Sequence, residues 1–341
     1  MKDLLVVGGG PSGLATAVYA AQAGLDVSVW ERHAGVLDKA CGEGLMPGAV
    51  SALSGIGIDP PGVDLAGIRY VRDSRTVAAP FRSGPGRGVR RTALHASMRT
   101  AVAASGVVVE QRAVTELSQE PADVVVNGDR FRYVVAADGL HSPVRRRLGL
   151  DGPRARLRRF GLRRHFRLTP WTSFVEVHWA PQVEAYVTPV ASDLVGVALL
   201  TRERGSFDQH FKRLPSLQDR FRHAEAVGDV LGAGPLLQHV RARVAGRVLL
   251  VGDASGYIDA LTGEGIALGV AQARSAVSAI VGDVPARYED DWLRVTRRYR
   301  VLTASLLVGT QLRPLRQLLV PTAQFLPRAF GTIVESLARP A

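Results

Sequence analysis

The chain has 341 residues, of which 46% are hydrophobic, and it carries a formal net charge of +12. This length predicts two domains, or one large α/β body with an insertion, and the hydrophobic content allows a sizeable core. The positive charge is mostly arginine spread along the chain without a nucleic-acid motif, so we expect a basic solvated surface and no nucleic-acid partner. Cys41 is the single cysteine, which excludes an internal disulfide; with no signal peptide before the first predicted strand, it indicates a cytoplasmic protein.

A glycine-rich turn between a short apolar strand and a helix opens the chain. Leu4–Val7 is the predicted strand, and Gly8, Gly10 and Gly13 follow with the spacing of a dinucleotide-binding fingerprint. The glycines allow a tight turn, the approach of a pyrophosphate and close packing of the helix, whose free N–H groups receive the phosphate charge. Glu31 ends the second predicted strand, where its carboxylate can accept from a ribose hydroxyl. This order of features predicts a nucleotide site.

The following segments alternate between helical and extended patterns. Residues 36–50 form a glycine-rich loop that leads into a helix at 48–53, and a second helix is predicted at 92–104. A strand at 107–111 follows, and then a β-hairpin around Asn127-Gly128, because this dipeptide favours a tight two-residue turn.

The second half of the chain contains a different kind of sheet. Apolar residues alternate with polar ones between residues 154 and 201, which predicts an antiparallel sheet. Residues 247–253 return to the pattern of a buried parallel strand, 264–281 are predicted to form a helix, and 285–341 are predicted to be helical. The nucleotide-binding body is therefore expected to be discontinuous, with the sheet inserted into it.

Three further segments accompany the opening fingerprint in sequence order: Gly88–Met98, Ala137–Arg146 and Val248–Leu268. With it, they resemble the para-hydroxybenzoate hydroxylase superfamily of FAD-dependent enzymes, which includes single-component monooxygenases and geranylgeranyl reductases. The resemblance covers roughly residues 1–280. It implies an α/β fold with a Rossmann-like FAD-binding domain on a parallel sheet, an inserted and mainly antiparallel substrate sheet, and a helical C-terminal segment.

This organisation predicts domain boundaries. We expect the FAD-binding domain at 1–70, 88–153 and 240–284, the substrate domain at 71–87 and 154–239, and the C-terminal helical segment at 285–341.

The resemblance also implies an FAD site. Asp253 is expected to accept from a ribityl hydroxyl, Arg91 to touch the cofactor, and the helix that begins near Ile266 to face the flavin pyrimidine edge. Asp138 either handles FAD and nicotinamide or only ends a strand in an Asp-Gly turn. The expected cofactor-binding residues are Gly8, Gly10, Pro11, Ser12, Gly13, Glu31, Arg32, Cys41, Gly42, Arg91, Asp138, Gly252, Asp253, Gly263, Gly265, Ile266 and Ala267.

The loop Lys39–Pro47 resembles the Lys-x-Cys-Gly-Gly segment of geranylgeranyl reductases, which lies beside the isoalloxazine ring. Gly42 and Gly44 would permit close approach to that ring. Cys41 is either a participant in catalysis or a small buried thiol, and Glu43 either orders the loop or contacts ribityl. The sequence leaves both questions open.

The reaction is predicted less sharply than the cofactor. Geranylgeranyl reductases carry Tyr-x-Trp-x-Phe-Pro in the inserted sheet, whereas Glu184–Pro189 keeps only one aromatic residue and the proline. This departure favours an NAD(P)H-using monooxygenase, in which transiently docked NAD(P)H reduces the flavin and O2 adds as a C4a-hydroperoxide that hydroxylates a hydrophobic aromatic or polyketide-like molecule. The alternatives are a reductase of prenyl or quinone double bonds, and a non-catalytic flavoprotein or electron carrier. The choice between NADH and NADPH stays open.

Candidates for the substrate pocket lie on the inserted sheet. Alternation places Tyr186 and Thr188 on one face, and His178 and Trp179 are further candidates; the alternative is that these side chains only pack between domains. No histidine or cysteine cluster has the spacing of metal ligands, so we expect no metal.

The C-terminal segment contains two apolar runs among arginines, Leu306–Val308 and Leu318–Val320. They either form a helical cap or rest weakly on a membrane surface. A membrane span is not expected, because Arg313, Pro314 and Arg316 interrupt the apolar stretch.

Overall fold

Three β-sheets and several α-helices appear in the computed structural model within the residues it describes, 1–155, 157–311 and 320–339; residues 320–325 are helical in addition to the helices whose bounds are given below. In chain order the strands are β1 (Lys2–Val7), β2 (Val27–Glu31), β3 (Gly44–Leu45), β4 (Val63–Leu65), β5 (Gly67–Arg72), β6 (Arg75–Pro80), β7 (Gly86–Gly88), β8 (Val108–Gln111), β9 (Leu117–Gln119), β10 (Val124–Val126), β11 (Asp129–Ala136), β12 (Phe160–Arg167), β13 (Phe174–Ala180), β14 (Val183–Ala191), β15 (Leu194–Thr201), β16 (Glu225–Ala233), β17 (Val244–Ala245) and β18 (Val248–Leu250). The helices are α1 (Pro11–Gln22), α2 (Pro47–Ser54), α3 (Arg91–Ala104), α4 (Pro143–Arg147), α5 (Phe207–Phe211), α6 (Pro215–Phe221), α7 (Gly265–Val281), α8 (Arg287–Gln311) and α9 (Pro327–Ala338).

The first sheet is built around parallel strands, in the order β17-β18-β11-β1-β2-β8, with β10 and β9 attached to β11. Residues 4–7 of β1 are buried and apolar, as expected for a central parallel strand that is covered on both faces. Helices α1, α3 and α7 contribute to the core cluster on one face of this sheet. The α/β class and the parallel sheet predicted from the sequence are confirmed.

The second sheet has seven strands in the order β16-β12-β15-β14-β13-β5-β6. All its pairs are antiparallel except β13 with β5, so the expectation of a mainly antiparallel sheet is confirmed. Strand β5 belongs entirely to this sheet, and the domain boundary predicted after residue 70 therefore cuts through a strand. Alternation alone did not reveal it, because only Gly67 of this strand is fully buried.

A third, small sheet (β3-β7-β4) joins the other two. A Cβ atom on Gly88 of β7 would lie 1.7 Å from the carbonyl oxygen of Pro189 in β14, so the backbones of the two sheets touch here. Glycine is required because any side chain would push the sheets apart.

The C-terminal helices cover the second sheet. Val320, Phe330 and Val334 are buried in one cluster with Val177 and Trp179 of β13, as the capping interpretation expects. No helix within 1–155, 157–311 and 320–339 combines the length and apolarity needed to cross a bilayer. The predicted interruption at Arg313, Pro314 and Arg316, and residues Leu318 and Leu319, lie outside the described residues.

The contact at Gly88 generates a stability prediction. Gly88→Ala should lower the free energy of unfolding by about 3 kcal/mol, because the added methyl group overlaps backbone atoms that cannot rotate away. Gly161→Ala in β12 is the matched control, since its Cβ would meet Leu200 at an ordinary 3.6 Å. Urea unfolding checks both variants; equal midpoints for the two would contradict the close sheet contact.

Candidate active site

The carboxyl ends of four parallel strands meet at one edge of the first sheet. Val7 of β1 is in register with Trp30 of β2 and Ala136 of β11, and Ala136 is in register with Leu250 of β18. The turns that follow these strands therefore lie side by side, although residues 8 and 252 are distant in sequence. In open parallel sheets this edge is where ligands bind.

The glycine turn after β1 has the geometry expected of a pyrophosphate site. Gly8 has φ +106°, and a Cβ on Gly13 would lie 1.9 Å from the carbonyl oxygen of Gly8, so α1 packs directly on the turn. A Cβ on Gly10 would meet nothing within 4 Å. Gly10 is also the N-cap of α1, and no side chain of the described residues caps it. The helix thus offers uncapped N–H groups beside open space.

Pro11 and Ser12 begin α1. The Ser12 side chain points away from the open space, because Cβ atoms on Gly252 and Gly269 would lie 2.4 and 2.2 Å from its hydroxyl. Ser12 therefore packs α1 against the turn after β18 and the start of α7.

Glu31 is held at the end of β2 by backbone groups. Its Oε2 accepts from the N–H of Gly9 at 2.7 Å, and its Oε1 accepts from the N–H of His33 at 3.0 Å. Arg32 is exposed and donates to the His33 ring. The carboxylate is thus anchored next to the glycine turn, where the sequence predicts ribose binding.

His95 also fixes the glycine turn, a role that the sequence did not assign. Its Nδ1 accepts from the N–H of Leu37 at 3.1 Å, so the proton is on Nε2, which donates to the carbonyl of Gly9 at 2.8 Å. Burial lowers the pKa of His95, and the charge of Arg91 adds to this effect. A neutral imidazole is therefore built into the floor of the site.

Charged groups with free hydrogen-bonding capacity line the next part of the edge. Arg91 begins α3, and within the described chain its buried Nε has no hydrogen-bond partner. Burial raises the pKa of Asp253, which the charges of Arg91 and Lys39 oppose. Burial and Arg91 lower the pKa of Lys39. Lys39 is thus a candidate functional residue, although the sequence analysis named it only as the first residue of the loop Lys39–Pro47.

Asp138 holds the turn after β11. Its Oδ2 accepts from the N–H of Val144 at 3.0 Å, while its buried Oδ1 has no partner among the residues described. Arg145 then donates to the carbonyls of Leu140 and Ala254 and so joins this turn to the one after β18. Oδ2 of Asp138 therefore stabilises the turn, whereas Oδ1 is left to accept a hydrogen bond from a ligand.

The loop that carries Cys41 is held from two sides. Thr188 of β14 donates to the carbonyl of Gly42 at 2.8 Å. The buried Glu43 carboxylate accepts from the N–H of Arg91 at 2.7 Å and from His165 at 2.5 Å, so it orders the loop. Burial raises the pKa of the half-buried Cys41 thiol, which favours its protonated form.

One face of the second sheet turns towards this loop. Val177 pairs with Tyr186, and Thr188 follows on the same face; Tyr186 donates its hydroxyl proton to the carbonyl of Leu261 at 3.1 Å. The structure separates His178 from this pair. It lies on the opposite face with Glu176, 3.1 Å away, because neighbouring residues of a strand point to opposite sides.

The N-terminus of α7 completes the site. Gly263 has φ +69°, and Gly265, Ile266 and Ala267 form the first turn, which no side chain of the described residues caps. Glu264 is the buried N-cap residue, and burial raises its pKa to about 7. Its Oε2 lacks a hydrogen-bond partner in the part of the chain that is described.

Known proteins match this chain over most of its length. The family described as "FAD binding domain" matches residues 1–179, more than half of the chain. The chain belongs to this family. It is similar to menaquinone reductase of Mycolicibacterium smegmatis (29% identity, 85% of this chain, 79% of the relative) and to digeranylgeranylglycerophospholipid reductase 2 of Methanosphaera stadtmanae (27%, 77% and 74%). It shares the fold of p-nitrophenol 4-monooxygenase PnpA of Pseudomonas putida DLL-E4 (TM-score 0.81, 18% identity, 99% and 98% coverage).

The protein is therefore an FAD-dependent oxidoreductase, and the residues present fit the cofactor. The open space at Gly10 and the uncapped start of α1 suit the pyrophosphate. The unpartnered Arg91 Nε and Asp138 Oδ1 leave polar atoms for the remainder of FAD, as does the first turn of α7. Glu31, Asp253 and the Gly42 backbone complete the set that this chain would use to hold it.

The open space at Gly10 generates a binding prediction. Gly10→Ala should leave the stability of the FAD-free protein nearly unchanged but weaken FAD binding about tenfold or more, because the methyl group occupies the approach of the pyrophosphate. Gly309→Ala in α8, whose added Cβ also meets nothing within 4 Å and whose φ is not positive, controls for the loss of a glycine. Fluorescence titration with FAD measures the effect; unchanged affinity in Gly10→Ala would contradict the assignment.

Glu264 generates a pH prediction. A carboxyl group whose pKa is raised by folding binds its proton more tightly in the folded chain, so it lowers stability as the pH rises from about 4.5 to about 7. Glu264→Gln should remove this loss and be more stable than the wild type by about 2 kcal/mol at about pH 8, with the difference disappearing towards about pH 4.5. Thermal or urea unfolding across this range checks it, with the exposed Glu116→Gln as control. A stability difference independent of pH would contradict the burial of a titrating group.

Proposed function

We propose that the protein is a flavin-dependent reductase of a double bond in a prenyl or quinone substrate. The sequence alone favoured a monooxygenase and kept this reductase as the alternative. The relatives named above reverse that order, because the two reductases share 27–29% identity with this chain, whereas the monooxygenase shares 18% and supports only the fold.

The observation that carries this proposal is the apolar wall beside the Cys41 loop. Val177 and Trp179 of β13 cluster with Tyr186, and Phe330 and Val334 of α9 close over them. Met46, which directly follows the loop, is buried against Leu337 and Ala338 at the end of the same helix. An extended apolar side chain is the kind of substrate that such a wall accommodates, and the wall also excludes water.

The positions at which this chain departs from the geranylgeranyl reductase motif all face that wall. Glu184, Tyr186 and Thr188 alternate along β14 and therefore share a face. Glu184 is held by two hydrogen bonds from Arg159, at 2.8 and 3.2 Å, in a buried ion pair. A fixed ion pair in place of an aromatic ring changes the shape and polarity of this part of the wall. We therefore expect a prenyl or quinone substrate other than the geranylgeranyl group.

Reduction of a double bond adds a hydride and a proton. FAD held by the residues named above would supply the hydride once NAD(P)H had reduced it. The proton must come from a group that is protonated at neutral pH. Burial raises the pKa values of the Cys41 thiol and of the Tyr257 hydroxyl, so both groups hold a proton at neutral pH. The chain otherwise binds and orients the substrate and excludes water.

A second candidate is hydroxylation of a hydrophobic aromatic molecule with O2. It is favoured by the incomplete aromatic motif at Glu184–Pro189, which departs from the motif of the geranylgeranyl reductases. A non-catalytic flavoprotein or electron carrier is the remaining alternative.

One product analysis separates these functions. FAD-loaded protein is mixed with NAD(P)H and either a prenylated quinone, a geranylgeranyl lipid or a set of small phenols, with and without air. We expect a prenylated substrate to stimulate NAD(P)H oxidation without air and to gain two hydrogens by mass. A product that gains one oxygen, formed only in air, would overturn the reductase in favour of the monooxygenase. No turnover with any substrate, after reduction by NAD(P)H or dithionite, would favour the non-catalytic alternative.

A further inference from the structure

A chain of buried polar side chains connects the Cys41 loop to the second sheet. Glu43 Oε2 accepts from His165 Nε2 at 2.5 Å, and His165 Nδ1 accepts from Arg163 Nη1 at 2.9 Å. Arg163 then pairs with Asp38, which is partly exposed at the start of the loop, and donates to the carbonyl of Lys39 at 3.3 Å. We call Glu43, His165 and Arg163 the buried relay; each is at most 3% exposed.

The direction of each hydrogen bond in the relay is determined. A guanidinium group only donates, so Nδ1 of His165 must accept and cannot carry a proton. The ring proton is therefore on Nε2, and it is donated to Glu43 Oε2. The other carboxylate oxygen accepts from the N–H of Arg91 at 2.7 Å. Both oxygens of Glu43 are thus used, one by the sheet and one by α3.

The backbone around the relay is shaped for this carboxylate. Glu43 has φ +58°, a left-handed conformation that a glutamate adopts only when its surroundings hold it. On the facing strand β15, a Cβ on Gly196 would lie 3.0 Å from Glu43 Oε2. The sheet therefore leaves space for the carboxylate, and the loop accepts backbone strain to put it there.

We propose that the buried relay positions the Cys41–Gly42 segment, so that the second sheet determines where this segment lies against the flavin. The hydrogen bonds of its members run to the loop, to α3 and to one another, so they are positioning residues rather than catalytic ones. The proposal rests on the placement of this loop beside the flavin under the function proposed above. It extends that function by naming the side chains that fix the loop.

The single cysteine of the chain provides a direct readout, because a thiol reagent can label only Cys41. Because Cys41 is half-buried, opening of the loop speeds its labelling. Loss of the hydrogen bond to the buried Glu43 carboxylate makes the closed loop less stable and so favours opening. We expect His165→Leu to be labelled about tenfold faster than the wild type, in the FAD-free protein and, to a smaller extent, with FAD bound. The absorbance band of bound FAD should shift in the same variant.

Two further variants distinguish hydrogen bonding from general loss of packing. His165→Gln should restore slow labelling, because its amide can accept from Arg163 and donate to Glu43 as the neutral imidazole does. His178→Leu is the matched control, since His178 is a buried histidine paired with a glutamate on the other face of the same sheet. It should leave the labelling of Cys41 unchanged. If His165→Leu does not fold, Glu43→Gln replaces it, because an amide has one accepting oxygen and can no longer accept from both the N–H of His165 and the N–H of Arg91.

The outcomes separate the relay from the proposed function. Wild-type labelling rates in folded His165→Leu would overturn the relay, as would equal acceleration in His178→Leu or failure of His165→Gln to restore slow labelling. Addition of FAD should slow labelling of the wild type. If it does not, the loop is not beside the flavin and the placement used in the proposed function fails, while the FAD-free measurements still test the relay.

Discussion

The parallel register of β1, β11 and β18 is the constraint on which the rest of the site depends. Ala136 pairs with Leu250 on one side and Val7 on the other, which aligns turns that are about 240 residues apart in sequence. The fold accommodates the inserted sheet because β18, which follows it in sequence, pairs in parallel with β11 of the first sheet. Once it does, the glycine turn, Asp138 and Asp253 lie along one edge, and the uncapped start of α1 faces the same space.

The parts of the fold that the sequence predicted correctly are those encoded by local patterns. The hairpin at Asn127-Gly128 was predicted from two residues, and their φ values of 49° and 87° are what its turn requires. The glycine turn was equally local, because it depends on which residues lack a side chain. The predicted domain boundary after residue 70 divides strand β5, because its pairing with β13 joins residues 67–71 to 174–178 and no local pattern indicates that pairing.

The side chains that the sequence missed act through distant partners. The histidines, including His165, were considered in the sequence only as possible metal ligands. The hydrogen-bond partner of His165 is Glu43, 122 residues away in sequence, so no local spacing could indicate the pair. His95 lies in the segment Gly88–Met98, for which no role of this histidine was predicted. Its hydrogen-bond partner Gly9 is 86 residues away in sequence, so no local pattern indicates the contact. His178 and Tyr186, by contrast, were both predicted as candidates for the substrate pocket. Each is on the expected sheet, but only the register of β13 against β14 places them on opposite faces.

The two halves of the site, the FAD edge and the proposed substrate face, are therefore built by different means. The FAD half uses mainly backbone groups and glycines, which depend on the absence of side chains rather than on their chemistry. The proposed substrate half uses side chains of a single sheet face, where Glu184 and Arg159 form an ion pair and Trp179 supplies apolar surface. Glu43 stands between the halves, with one oxygen on α3 and the other on the sheet. A change on the sheet face can thus alter the substrate without disturbing the glycine turn, whereas a change at Glu43 must affect both halves together.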